Sequence, residues 1–191
     1  MARWEPNTRA RLVTAAVDLF AEQGYDATTV SEIAERAGGL TKMTFFRHFA
    51  DKREVLFAGQ EIHRRLLADA IAAAPAEATP LEATSAGLEA LTGTFTDERR
   101  EFSARLLAVV AGNSELQERA AYKRATLAGA ITAALHERGV PDPAAGLAAE
   151  LGVGAFYRAF ERWASSASQE MLTDVTRQAF AELRTALATL G

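Results

Sequence analysis

Apolar residues recur along this chain at spacings of three and four, the period of helices buried on one side. Over Thr8–Gln23, Leu12, Ala16, Leu19 and Phe20 share a face, with Asn7 placed to cap and Gly24 to stop the helix. A second helix is predicted from Thr29, where Thr29-Val30-Ser31-Glu32 reads as a capping box, with Val30, Ile33, Ala34 and Ala37 inward and Gly38-Gly39 as its stop. A third, short one starts near Thr41 and sets Phe45 and Phe49 one turn apart. The fourth is expected from Asp51 to about Ala74, on a second box at Asp51-Lys52-Arg53-Glu54 and the apolar points Leu56, Leu66, Leu67 and Ile71.

After a linker of small residues, Pro75 to Thr79, the sequence Thr79-Pro80-Leu81-Glu82 combines a cap, Pro at the first helical position and Glu at the third. The helix it opens runs to about Thr94. Asp97 opens the next, carrying Phe102, Leu106, Leu107 and Val110 to Gly112-Asn113. Ser114-Glu115-Leu116-Gln117, a further box, starts a long helix to about Arg138, ended by Gly139. Asp142-Pro143 opens another to about Trp163, and a last one is expected from about Ser168 to Leu190. The pattern predicts an all-α fold of about nine helices, with no internal repeat and no strand alternation.

Composition agrees with the periodicity. The 191 residues include 42 Ala against 13 Val and Ile together, a balance that favours helices over strands. Cysteine is absent, which removes disulfides, thiolate zinc sites, iron–sulfur clusters and cysteine nucleophiles. No stretch of eighteen uncharged apolar residues exists, and the start, Met1-Ala2-Arg3-Trp4-Glu5-Pro6, lacks the apolar core of a signal peptide. The expectation is a cytoplasmic protein without a membrane partner. Charge is uneven: ten basic against nine acidic residues up to position 65, eleven against sixteen beyond it. That asymmetry hints at an N-terminal part facing a polyanion.

The same region shows two short helices joined by a glycine turn, the outline of a helix-turn-helix whose second helix enters a DNA major groove. Between Leu40 and Arg53 stand Lys42, Arg47, Lys52 and Arg53 against Asp51 alone, with Thr41, Thr44 and His48 as further hydrogen-bonding groups. Arg3, Arg9 and Arg11 add positive charge near the start, against Glu5. Charge by itself favours a solvated helical surface, since basic runs usually only keep surfaces wet.

The residues Ala15-Ala16, Leu19 to Tyr25, Thr28-Thr29-Val30, Ile33-Ala34, Ala37-Gly38, Thr44 to Phe49 and Lys52 to Leu56 together separate these readings. At these offsets the stretch Thr8–Phe57 resembles the DNA-binding domain of the TetR family of bacterial transcriptional regulators. The resemblance implies a DNA-binding domain over 1–57 and a helical effector-binding and dimerisation domain over 58–191. It implies that Thr29 binds phosphate, that Ser31 lies where some members reach a base, and that Lys42, Met43 and Thr44, behind Thr41, read base edges. Arg47 and His48 would touch phosphate or a base, and Lys52 would hold phosphate. The chain departs from the family in two places. Gly38-Gly39-Leu40-Thr41 carries one residue more than the usual turn, and Phe46 stands where a Tyr commonly offers its hydroxyl to phosphate.

No catalytic constellation is visible. Gly152-Val153-Gly154 lacks the third glycine of a dinucleotide fingerprint, and small residues packing helices closely is the simpler reading. His48, His63 and His136 lie far apart, so no metal site is expected, nor any cofactor or enzymatic activity. Aromatic residues from Phe95 to Phe180 fit a core, and some of them fit the wall of a ligand pocket. Phe102, Arg105, Tyr122 and Phe156 are the pocket candidates, with Asn113 as a further polar group, and the ligand expected is a small apolar or aromatic effector. In the last two helices, Leu151 and Ala155, then Leu172, Val175, Ala179, Leu183 and Leu187, step by three and four. They suit either burial within one chain or the seam of a homodimer. The whole points to a regulator, a repressor released from a palindromic double-stranded operator by a small molecule. The alternative is a helical ligand-binding protein or enzyme of this fold that has lost DNA binding.

Overall fold

In the computed structural model, which describes residues 7–57, 60–165 and 170–190, nine α-helices and two short 3-10 turns form, with no strand among the described residues. The helices are α1 (Thr8–Gln23), α2 (Val30–Arg36), α3 (Lys42–His48), α4 (Gln60–Ala73), α5 (Pro80–Thr92), α6 (Arg100–Ala111), α7 (Ser114–Glu137), α8 (Ala144–Ser165) and α9 (Leu172–Thr189). Among the described residues no helix is long and apolar enough to cross a membrane.

Local chemistry accounts for most boundaries. Thr29 and Thr79 each close a full capping box, the hydroxyl accepting from the amide of Glu32 or Glu82 while that carboxylate accepts from the threonine amide. Other starts differ from the sequence expectation. Asn7 adopts a left-handed backbone, φ 95°, and its side chain caps nothing. At α7 the cap is Asn113, whose Oδ1 accepts from the Leu116 amide at 3.1 Å, in place of the box expected at Ser114. The Asp51 box does not open α4. Asp51 Oδ1 accepts from the Glu54 amide at 3.0 Å, but the turn it starts is a 3-10 helix, Arg53–Phe57, because Val55 and Leu56 are pulled into the core there. Asp97 likewise opens a 3-10 turn, Asp97–Arg99, ahead of α6. The expected start of the last helix at Ser168 lies outside the described residues.

The chain divides into two compact units. The first comprises residues up to 58 together with 102–120; the second comprises 59–101 and 121–191. The first unit thus takes most of α6 and the opening of α7, which the sequence reading assigns to the second domain. Its core joins Leu12, Ala16, Val17, Phe20, Ile33, Phe45, Phe49 and Val55 to Val109 and Leu116. Polar ties reinforce it: Arg105 pairs with Asp18 at 3.0 Å, Arg119 with Glu54, and Tyr25 donates to Glu115 at 3.3 Å.

In the second unit α4 packs on α5, α5 on both α8 and α9, and α8 on α9. The α5–α8 crossing is close because Gly152 is buried in it. A Cβ at that position would lie 2.3 Å from Thr84 Cγ2 and 3.4 Å from Leu88 and Phe180. A Cβ at Gly87 would likewise lie too close to Ile71, at 2.7 Å. Gly152 thus serves helix packing, whereas a Cβ at Gly154 would meet only the Arg124 guanidinium, at 3.7 Å. Arg138 fastens the end of α7 by donating to the carbonyls of Ile71, Ala72, Ala74 and Pro75, at the end of α4 and just beyond it.

Gly152→Ala is expected to destabilise. Alanine gains about 1 kcal/mol of helix propensity, but the clash with the stiff Thr84 methyl outweighs it, for a net loss of about 1–3 kcal/mol. Gly129→Ala, where a Cβ meets nothing within 4 Å, is the control and should gain several tenths of a kcal/mol. Urea midpoints for both variants check this; an unchanged or raised midpoint for Gly152→Ala would refute the close crossing.

Candidate nucleic-acid interface

The first unit displays α3 through two contacts that hold its neighbours. Arg36 forks onto Glu22 at 3.0 and 2.8 Å, tying α2 to α1. Arg11 donates from Nε to the Ala37 carbonyl at 2.7 Å, at the point where α2 ends. The turn that follows takes its extra residue through two consecutive glycines in the left-handed region, Gly38 at φ 107° and Gly39 at φ 69°. Both their amides return to the Glu35 carbonyl, and the Leu40 amide reaches Ala34 at 2.9 Å. Gly38 is doubly constrained, since a Cβ there would meet the Arg11 guanidinium at 1.8 Å.

Thr41 then caps α3, accepting from the Thr44 amide at 3.2 Å, and its hydroxyl lies 3.0 Å from that of Thr44. Phe45 and Phe49 are buried, their ring centroids 5.3 Å apart, and fix which face of α3 points inward. A helix turns about 100° per residue, so Lys42 and Phe46 form one outward stripe and Met43 and Arg47 the next. All four are exposed, Met43 by 77% and Phe46 by 47%. The inserted turn residue therefore does not rotate Phe46 into the core. Lys42 Nζ stands 5.9 Å from the centre of the Phe46 ring. His48 is half-buried beside Phe49, over which the Arg9 guanidinium also sits, at 5.5 Å. Arg3 lies outside the described residues.

Two expected phosphate ligands are engaged within the fold. Thr29 gives its hydroxyl and its amide to Glu32, at 2.7 Å each, and these bonds hold the Glu32 carboxyl below the usual carboxylate range. Lys52 turns inward: its ammonium donates to the carbonyls of Tyr25 at 2.7 Å and Thr28 at 2.9 Å, and lies 4.0 Å from the centre of the Tyr25 ring. It braces the loop between α1 and α2. Ser31 is exposed on the first turn of α2. Neither Arg11 nor Lys52 is marked by spacing as a strut; a basic residue on an amphipathic helix reads the same whether it meets solvent or a carbonyl.

The four pocket candidates divide between the two units. Phe102 packs on the core of the first unit, Arg105 is paired with Asp18, Tyr122 is 61% exposed, and Phe156 is buried in the second unit. Arg105 does line a groove of about 500 Å³ on the first unit, whose other walls are largely small residues and backbone at Ala21, Gly24, Ala27, Ala108 and Gly112. A different cavity, of about 320 Å³, lies in the second unit. Leu91, Phe95, Leu127, Ala130, Phe156 and Tyr157 form its walls; His63 and Arg64 from α4, with Lys123 and Thr126 from α7, supply its polar groups. Behind Phe95 stand Phe160 and Trp163, at 5.8 and 6.3 Å between centroids. Burial lowers the pKa of His63, with Arg99 adding to the effect. His63, Arg64 and Lys123 were not singled out by sequence, because nothing periodic links α4 to a point sixty residues on.

The seam candidates divide by depth. Ala155, Leu172, Val175 and Ala179 are already buried within the chain, and Leu151, Leu183 and Leu187 are half-buried; two further leucines, Leu147 on α8 and Leu190 just after α9, are exposed by 59% and 82%.

Residues 12–58 match the sequence model of bacterial regulatory proteins of the tetR family. The chain is 39% identical over 94 residues to the HTH-type transcriptional regulator TcmR of Streptomyces glaucescens, covering 49% of this chain and 41% of that protein. It is 40% identical over 83 residues to the HTH-type transcriptional regulator BetI of Rhizobium meliloti (strain 1021), covering 43% and 40%. The matches thus span about two fifths of the length of these relatives. Among solved structures, a TetR-like transcriptional regulator from Rhodococcus sp. RHA1 aligns over 97% of this chain and 99% of its own, with a TM-score of 0.56 and 22% identity. The SmeT–triclosan complex aligns over 94% and 90%, with a TM-score of 0.63 and 20% identity. At these identities the structures establish the shared fold.

Lys52→Ala leaves the carbonyls of Tyr25 and Thr28 without their donor. It is expected to cost about 1–3 kcal/mol in unfolding free energy, the range for a buried hydrogen-bonding group left unpaired. If Lys52 served only phosphate, the denaturation midpoint would stay put and only the salt dependence of DNA binding would fall, by about one phosphate contact per subunit.

Proposed function

From the match of residues 12–58 to the model of bacterial regulatory proteins of the tetR family, we propose that the chain is a transcriptional regulator of that family that binds a palindromic DNA operator as a homodimer. It acts as a repressor and leaves the operator when a small molecule occupies its second unit. The observation that carries this reading is the display of α3: anchored by Phe45 and Phe49, it offers Lys42, Met43, Phe46 and Arg47 to the outside. A helix about 10 Å across fits a major groove. Lys42 is suited to guanine O6 and N7, Met43 to a thymine methyl, and Arg47 to phosphate or a base.

The dimer seam follows from the division by depth. A short connection between α8 and α9 makes them antiparallel, which brings Leu147 and Leu151 near Leu187 and Leu190. These residues, with Leu183, form an outer apolar face, and a second copy covers it in a four-helix arrangement. A two-fold-symmetric operator requires two copies of α3, one from each chain. An effector that favours a dimer with a different separation opposes DNA binding, and DNA opposes the effector by the same factor.

The effector cavity is the one in the second unit. Three aromatic rings line it beside a few polar groups, the usual make-up of a small-molecule site. The reading is of a binding protein without catalysis, metal or cofactor.

Selection of bound sequences from a random duplex pool is expected to return a palindrome. On that operator, Lys42→Ala should relax preference at one base pair of each half-site, whereas equal loss on operator and random duplex would assign Lys42 to the backbone. Phe46→Tyr should tighten binding to every duplex by about 1–2 kcal/mol per half-site, through a hydroxyl to phosphate, with the salt slope unchanged. Failure of the wild type to bind any duplex at low salt would sink the regulator reading in favour of a fold-mate that has lost DNA binding.

Leu147→Glu tests the seam apart from the monomer fold, because Leu147 is exposed within the chain. Sedimentation should show monomers with unchanged helicity, the burial of two like-charged carboxylates costing several kcal/mol (about 3–5). An intact dimer would place the seam elsewhere.

A further inference from the structure

Two large apolar side chains stand exposed among the described residues of the first unit, Met43 and Phe46, and both belong to the seven-residue α3. We propose that they form one apolar patch that reads the 5-methyl groups of thymines in the major groove, so that Phe46 selects bases. The inference rests on the regulator reading above and deepens it by naming the operator chemistry that the patch recognises.

Residues three apart on a helix are neighbours, with about 5–6 Å between Cβ atoms, so Met43 and Phe46 adjoin. Phe46 is braced from the inner side: its ring meets the buried Phe45 ring edge to face, at 5.5 Å between centroids. Charge borders the patch. Lys42, one turn before Phe46, has its ammonium 5.9 Å from the centre of the Phe46 ring, and Arg47 lies one turn after Met43. No residue of α3 is acidic.

An apolar patch between two cations fits a polyanion that carries apolar groups. In the DNA major groove that group is the thymine 5-methyl; adenine, guanine and cytosine show donors and acceptors there. RNA lacks the methyl, and its deep, narrow major groove shuts side chains out. Covering a methyl removes apolar surface from water on both partners, which is the gain that an exposed ring and thioether have to offer. Successive bases of a strand rise by about 3.4 Å, so side chains about 5–6 Å apart reach methyls one or two steps from each other. Lys42 borders the same ring, which sets the guanine it reads within a few base pairs of the thymine under Phe46. Phe46, which has no hydroxyl to give to phosphate, thus acts on sequence through its ring.

Deoxyuridine differs from thymidine only by that methyl. In the operator selected from a random duplex pool, each thymine is replaced by deoxyuridine at matching positions of both half-sites, and the full chain is titrated. Each buried methyl lost should weaken binding about fourfold, hence about fifteenfold for the matched pair, at one or two positions per half-site. Phe46→Ala should abolish the penalty at one of these positions, and Met43→Ala the penalty at the other. Phe46→Leu and Phe46→Tyr should keep it, and the salt slope should stay constant throughout, since no cation is lost. Phe46→Gln, with a better helix former than most polar residues, repeats the measurement should the alanine variant melt early. Deoxyuridine tolerated at every position, an operator without thymine in its half-sites, or a penalty undiminished in the Phe46 variants would each overturn the assignment of Phe46. The regulator reading would survive those results, because the wild type still picks its operator. A wild type that binds no duplex would overturn both.

Discussion

The display of α3 depends on the burial of two phenylalanine rings. A seven-residue helix has little stability in water, because nucleation costs more than so few hydrogen bonds return. Phe45 and Phe49, one turn apart and both buried, supply the missing energy by docking the helix on the core built by α1 and α2. They also fix its rotation. With that face inward, Lys42, Met43, Phe46 and Arg47 have nowhere to point but outward, so the anchoring that stabilises the helix also selects the surface it offers.

Several basic residues of the same unit are not offered outward with Lys42 and Arg47. Arg11 and Lys52 spend their donors on main-chain carbonyls at Ala37, Tyr25 and Thr28, and Arg36 spends its fork on Glu22. Arg11 and Lys52 thereby tie down main-chain carbonyls at the two ends of α2, and Arg36 ties α2 to α1 through a carboxylate. The glycine turn between α2 and α3 belongs to the same device. Its extra residue is absorbed by two left-handed conformations under the Arg11 guanidinium, and α3 keeps its register.

The second unit combines tight packing with a hollow. Gly87 and Gly152 bring α5 close to α4 and α8, while bulkier rings from Phe95 to Trp163 prop the helices apart nearby and border the cavity. The bases that reach into it come from α4 and α7, whose other faces serve helix packing.

What local pattern encodes was legible in the chain itself: the all-α class, the positions of the helices, the capping boxes at Thr29 and Thr79, and the inward set Ile33, Ala34, Phe45 and Phe49. These follow from a 3.6-residue period and from hydrogen bonds spanning three residues, both contained in a short window. The motif between Leu19 and Leu56 was legible because its offsets lie in one stretch. The fourth helix was misread at its start, since the Asp51 box is locally sound and only the pull of Val55 and Leu56 into the core tightens it to a 3-10 turn. Tertiary structure alone decided the rest. A lysine at position 52 carries no mark of whether it will meet phosphate or the Tyr25 carbonyl, 27 residues away. Leu172 and Leu187 share one stripe, yet the first is buried within the chain and the second only half so. His63 and Lys123 become neighbours in a cavity lining solely through the packing of α4 and α7. Periodicity states that a face is covered; what covers it is a long-range fact, set by which helices meet.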